Sequence, residues 1–168
     1  MFGYPTDTIW GFGCHPLIGH AVARILDIKQ RPSHKGLILL SSRLEYCAAY
    51  IDADPEQLCP ILESTTKPTT WLVPANESCP DWLCGEFPTI AVRITDHPLL
   101  QQICERLEAP VVSTSANRSG KAPVRNSLQM RRQFGTDLDY IVTGFATGGD
   151  RPSEIKSLFS GEILRASA

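Results

Sequence analysis

At residues 110–120 the chain passes abruptly from apolar residues to hydroxyls and an amide, in the order Pro110-Val111-Val112-Ser113-Thr114-Ser115-Ala116-Asn117-Arg118-Ser119-Gly120. A continuous apolar run suits a strand covered on both faces, whereas closely spaced Ser, Asn and Gly supply donors, acceptors and room for close backbone approach. The segment predicts a buried strand opening into a loop. That loop is either a ligand site at the strand's carboxyl end or a capped turn into the next element. Elsewhere the periodicity alternates between helix and strand. Ala21, Val22, Ile25, Leu26 and Ile28 form a helical stripe over 19–30, stopped by Pro32. Residues 37–40, 69–74 and 89–94 read as strands. Asp54-Pro55-Glu56-Gln57 carries a cap, a first-turn proline and a capping-box partner, which predicts a helix through Leu62. Asp96 is placed to cap a second helix with Leu99, Leu100, Ile103 and Leu107 on one face. A helix over 127–134 ended by Gly135, a strand over 140–142, and a hairpin of 155–158 with 162–165 around Ser160-Gly161 complete the reading. The alternation predicts α/β layers, without repeats or linkers.

Length and charge narrow this picture only a little. The 168 residues, 42% hydrophobic and 20% charged, suit a single globular domain with a core large enough for an enzyme. A net charge of −2 argues against a generally basic nucleic-acid coat, while leaving room for a local basic patch. The six cysteines, at 14, 47, 59, 79, 84 and 104, include no CxxC pair, and no secretory or membrane-spanning apolar run occurs. Reduced thiols and a cytoplasmic location are the expectation. Cys79 and Cys84, even with His15 or His97, have poor spacing for zinc, and no metal site is expected.

No Walker loop, GxGxxG, GxSxG or HExxH occurs. What remains is a set of cations and hydroxyls near strand ends: Thr6, Thr8, Lys29, Arg31, Lys35, Thr70, Arg93, Ser113, Ser115 and Asn117. Such a set suits an anionic substrate, because phosphates and carboxylates favour guanidinium forks, ammonium charges and hydroxyl donors. Lys29 and Arg31 have an alternative role at a helix carboxyl end, where cations favour the helix dipole. Arg93 is more telling, because it interrupts the apolar strand Ile90-Ala91-Val92-Arg93-Ile94, and a buried guanidinium needs a partner or a ligand.

Taken in order, Tyr4-Pro5-Thr6-Asp7-Thr8 with Gly11-Phe12-Gly13, Lys29-Gln30-Arg31-Pro32, Ala91-Val92-Arg93-Ile94 and Ser113-Thr114-Ser115-Ala116-Asn117 with Ser119-Gly120 resemble the YrdC/TsaC family of threonylcarbamoyl-AMP synthases. Thr147-Gly148-Gly149 and Pro152-Ser153-Glu154-Ile155 extend the resemblance to the short bacterial form. The resemblance implies a three-layer YrdC-like α/β fold, a twisted mixed β-sheet flanked by helices. It implies a nucleotidyltransferase that forms L-threonylcarbamoyladenylate and pyrophosphate from L-threonine, bicarbonate and ATP, for N6-threonylcarbamoyladenosine modification of tRNA at position 37. Magnesium would arrive with ATP, and no tightly bound cofactor is implied. Further implied partners are tRNA or other RNA and the downstream threonylcarbamoyl-transfer proteins, with the chain itself a monomer.

Carried over by position, Lys29, Arg31, Ser115 and Asn117 match the family's catalytic KxR and SxN positions. Thr6, Thr8 and Arg93 match its threonine site. ATP would be held by Lys29, Arg31, Thr70, Ser113, Ser115, Asn117 and Ser153. Two departures stand out: only Met1-Phe2-Gly3 precede the YPT motif, so residues 1–168 are expected to form one domain lacking the family's usual first helix and strand, and Thr65-Thr66-Lys67-Pro68 replaces a Trp-Pro-Gly-Pro stretch. Two other classes share these motifs. One is a non-catalytic RNA-binding or ribosome-maturation protein using Lys29, Arg31, Lys35, Arg118, Lys121 and Arg125. The other is a carbamoyl-transfer accessory domain of the hydrogenase-maturation type, which normally sits in a larger chain with zinc-finger modules.

Overall fold

The computed structural model describes residues 1–63, 67–147 and 152–166. Positions 65 and 66 of the altered stretch, and Gly148-Gly149 of the late motif, lie outside the described residues. Within them, nine strands form one mixed sheet. In chain order these are β1 (Phe2–Tyr4), β2 (Gly11–Cys14), β3 (Ile38–Ser41), β4 (Thr69–Pro74), β5 (Thr89–Ile94), β6 (Val111–Ser115), β7 (Tyr140–Ile141), β8 (Glu154–Ser157) and β9 (Ile163–Arg165). Their spatial order is β7-β1-β2-β6-β3-β5-β4-β8-β9. Pairs β1/β7, β3/β5 and β4/β8 are parallel, and the other five neighbouring pairs are antiparallel. The helices are α1 (Gly19–Lys29), α2 (Cys59–Leu62), α3 (Asp81–Cys84), α4 (Pro98–Leu107) and α5 (Ser127–Phe134).

Strand alternation divides the sheet's faces and so positions the site. Ile90 and Val92 of β5 join Phe12, Leu39, Val73 and Val112 in the main core, beneath Val22 and Ile25 of α1 and Met130 and Phe134 of α5. Phe12 and Phe134 meet edge to face with centroids 4.9 Å apart. On the other face, Leu100 of α4 packs with Leu40, Val111 and Tyr4 in a smaller cluster. Thr89, Ala91, Arg93, Ser113 and Ser115 follow the same alternation and line an open pocket. The result is the expected three-layer arrangement, with part of one face left uncovered by helix.

Two local predictions need correction. The helix expected from Asp54 is confined to Cys59–Leu62. The preceding residues make i to i+3 bonds instead (Gln57 N to Asp54 O, 3.0 Å; Leu58 N to Pro55 O, 3.2 Å), because Pro60 has no N–H to give to the Glu56 carbonyl. Half of the capping box survives, with the Asp54 N–H donating to Gln57 Oε1 at 2.9 Å. At α4, His97 rather than Asp96 holds the cap position, with no side-chain bond, and Pro98 presets the first turn. Strands β1 and β2 escaped the pattern because they are short and rich in glycine. A Cβ on Gly13 would lie 2.8 Å from the Tyr4 ring, so the glycine is what lets that ring cross the strand.

Helix α5 supplies a modest test of local energetics. Asn126 caps it, its Oδ1 accepting from the Gln129 N–H at 2.9 Å. Asn126→Ala is expected to lower unfolding free energy by about 1 kcal/mol, read from urea denaturation; an unchanged midpoint removes the cap's role.

Candidate functional site

The Thr6 hydroxyl organises the turn after β1. Its Oγ1 donates to the Ile9 carbonyl at 2.7 Å and accepts from the N–H groups of Thr8 at 3.0 Å and Ile9 at 3.2 Å. Thr8 Oγ1 lies 2.9 Å away, so both hydroxyls face the same pocket. Arg93 reaches this turn from β5. Its guanidinium donates to Asp7 Oδ1 at 2.7 Å and to Thr8 Oγ1 at 3.4 Å, while its buried Nε–H has no partner. Burial pulls the Arg93 pKa down and Asp7 opposes the shift.

Helix α1 ends at Gln30, whose φ of 51° turns the chain, so that Lys29 lies inward and Arg31 reaches the pocket. Lys29 is 3% exposed and has no carboxylate among its hydrogen-bond partners. Its ammonium donates to the Ser115 carbonyl, to the Asn117 carbonyl at 3.1 Å and to Asn117 Oδ1 at 3.0 Å, with Ser115 Oγ at 3.3 Å. Ser115 Oγ donates in turn to Asn117 Oδ1 at 2.6 Å. Lys29 thus knots the β6 loop to α1. Burial, and then the charge of Arg31, push its pKa down to about 7. Arg31 donates to the carbonyls of Lys35 at 3.2 Å and Gly36 at 3.0 Å, and its buried Nε–H is unpartnered.

The β8–β9 hairpin closes the third side. Ser153 Oγ meets Thr70 Oγ1 at 2.7 Å, and Arg165 donates to the Ser153 carbonyl at 2.7 Å. Burial lowers the Arg165 pKa, with Arg93 and Arg31 adding to the shift. Arg93 and Arg31 thus act on Arg165 across a cavity of about 330 Å³, and no carboxylate is among its described lining residues. Thr6, Thr8, Arg31, Arg93, Ser113, Ser115 and Ser153 all line it. Lys29, Asn117 and Thr70 do not; they support the lining from behind, through Ser115 and Ser153. Tyr4, whose hydroxyl donates to Ser113 Oγ at 2.8 Å, is a further support. Arg165 was missed from the sequence. Its only signal is a cation in the short apolar run Ile163-Leu164-Arg165.

A mixed sheet that gathers guanidinia and hydroxyls around a pocket over an uncovered stretch of one face defines an α/β protein with a cationic pocket. The chain belongs to the Sua5/YciO/YrdC family, whose model, described as telomere recombination, matches residues 1–167. A threonylcarbamoyl-AMP synthase of Cellvibrio japonicus is 43% identical over 99% of this chain and 89% of its own length. A threonylcarbamoyl-AMP synthase of Vibrio parahaemolyticus is 41% identical over 98% and 91%. Among solved structures, P. abyssi Sua5 complexed with L-threonine superposes with a TM-score of 0.88 at 28% identity, covering 98% of this chain and 49% of that one. E. coli YciO shares the fold with a TM-score of 0.85 over 99% of this chain and 82% of that one, at 23% identity.

Proposed function

We propose that the chain is a threonylcarbamoyl-AMP synthase, joining L-threonine, bicarbonate and ATP into L-threonylcarbamoyladenylate with release of pyrophosphate. The observation that carries this reading is the convergence of Arg31, Arg93 and Arg165 on a hydroxyl-lined pocket with no carboxylate among its described lining residues. Threonine's carboxylate goes to Arg93, beside the Thr6 and Thr8 hydroxyls. The triphosphate goes to Arg31, Arg165, Ser113, Ser115 and Ser153, with Lys29, Asn117 and Thr70 fixing the residues that touch it. The carbamate made from threonine and bicarbonate attacks the α-phosphorus, and the bond to the β-phosphate oxygen breaks. Negative charge grows on the leaving pyrophosphate, where preorganised guanidinia act most strongly. Magnesium would arrive with ATP and supply charge neutralisation at the phosphates. The product supplies the threonylcarbamoyl group for tRNA N6-threonylcarbamoyladenosine, through separate transfer proteins. Residues 1–168 are read as one domain, since the site draws on strands of a single sheet and on the loops and helix end beside them.

A purely RNA-binding role fits less well, because Lys29, one of the residues named for it, is 3% exposed and committed to the Ser115–Asn117 loop. The deciding assay is pyrophosphate release from ATP in bicarbonate buffer, with L-threonine, with serine and with neither. Release that depends on threonine is the expected result. No release from a folded protein would overturn the synthase reading.

A further inference from the structure

Cys79 precedes α3 and Cys84 ends it, with their sulfurs 3.1 Å apart, although neither takes part in the chemistry above. Both are buried, but Cys84 also lines the anion pocket and is reachable by a small reagent that enters it. We propose that this pair is an oxidation site, forming a reversible disulfide with a hydroperoxide as oxidant, and that the disulfide weakens nucleotide binding by displacing Arg31. The second half rests on the assignment of Arg31 to phosphate; the first does not.

The chemistry balances with the peroxide alone. The Cys84 sulfur takes the terminal peroxide oxygen, and water or an alcohol leaves. Cys79 sulfur then attacks the resulting sulfenic acid, the S–S bond forms, and the hydroxyl departs as a second water carrying the Cys79 proton. The two electrons lost by the sulfurs are those that reduce the O–O bond. The order of attack follows from placement. Burial and then the neighbouring Cys84 push the Cys79 thiol up to about 12, making it the resolving partner. Capping Cys84 removes that neighbour's contribution, and the second step is intramolecular at contact distance.

The coupling to Arg31 is a short chain of contacts without slack. A disulfide brings sulfurs to about 2 Å, so the pair must close by about 1 Å. Helix α3 cannot follow independently of the pocket wall. The Leu83 carbonyl accepts from the Leu37 N–H at 2.8 Å, and the His34 carbonyl accepts from the Glu86 N–H at 3.1 Å. At Gly85, with φ at 68°, a Cβ would lie 2.2 Å from the His34 oxygen, so these two backbones are already in contact. The segment so clamped, 34–37, contains both carbonyls that hold the Arg31 guanidinium. Closure of the sulfurs therefore moves the Arg31 anchor.

The test treats the full chain with hydrogen peroxide and follows mass and ATP affinity together. The expected result is loss of two hydrogens from the peptide carrying Cys79 and Cys84, reversed by dithiothreitol, with ATP affinity about tenfold weaker in the oxidised form. Cys79→Ala should keep the affinity of the reduced protein and lose the reversible response, accumulating instead a dimedone-reactive sulfenic acid at Cys84. Oxidation of exposed Cys59 without the internal disulfide overturns the proposal. A disulfide that leaves ATP affinity unchanged overturns the coupling. If the reduced protein binds no ATP, the synthase reading falls and the nucleotide half falls with it, while mass alone still decides the disulfide.

Discussion

Replacing Arg31 with alanine is expected to slow threonine-dependent pyrophosphate release by about a hundredfold or more, the usual cost of removing one preorganised charge from developing negative charge. Arg31 spends one nitrogen on the Lys35 and Gly36 carbonyls, which aims the rest of the fork into the cavity. Arg31→Lys should recover little of the loss, since a single ammonium cannot satisfy those carbonyls and a phosphate in the same geometry. The check is kcat/KM for ATP at saturating threonine, with thermal unfolding to confirm the fold. An unchanged kcat/KM would place the phosphate chemistry elsewhere.

Substitution of Lys29 acts on the pH dependence of stability. Its pKa is about 7 in the folded protein against an ordinary 10.5, so between these values the unfolded chain binds more protons and stability rises with pH. Above pH 9 the balance reverses. Burial raises Cys14, Cys47 and Cys79 to about 12 from 9.0, so the folded form then holds the more protons. Wild-type stability is expected to gain about 1 kcal/mol between pH 7 and pH 9, the Lys29 gain being partly offset by the cysteines, and to fall beyond. Lys29→Met should abolish that gain and, at pH 8, destabilise by about 2 kcal/mol, because buried carbonyls lose their donor. Urea midpoints across pH measure both effects; a persisting rise in the variant would assign it to another group.

Where burial alternates along a strand, the sequence made both fold and site readable. Arg93 stood out because Ile90 and Val92 before it belong to a core face, and the structure turns Arg93 to the opposite face, where it lines the pocket. The hydroxyl loop after Val112 was legible for the same reason. Strands β1 and β2 were not, since three glycines in seven strand residues erase alternation. Nor was the division between residues that line the pocket and those that brace it: Lys29 and Arg31 look equivalent in a motif, yet a single αL residue between them sends one inward and the other to the cavity. Arg165 enters the site only through pairing of β9 with β8 at the sheet's far edge, a long-range contact with no local signature. Cys79 and Cys84, unpromising as metal ligands by spacing, prove to be neighbours because α3 is one turn long.

The β8–β9 hairpin brings Arg165 toward Arg31 and Arg93, cations that disfavour its own charge. Among the described residues β9 is the outermost strand on this side, and this edge is held although its arginine meets two other cations. A polyanion bound in the pocket would invert the sign of that interaction, turning cations that disfavour the Arg165 charge into ligands of a common centre with it. Substrate is then also mortar: occupancy fastens the outermost hairpin to the rest of the sheet, and the tightening of that edge is itself part of the free energy of binding.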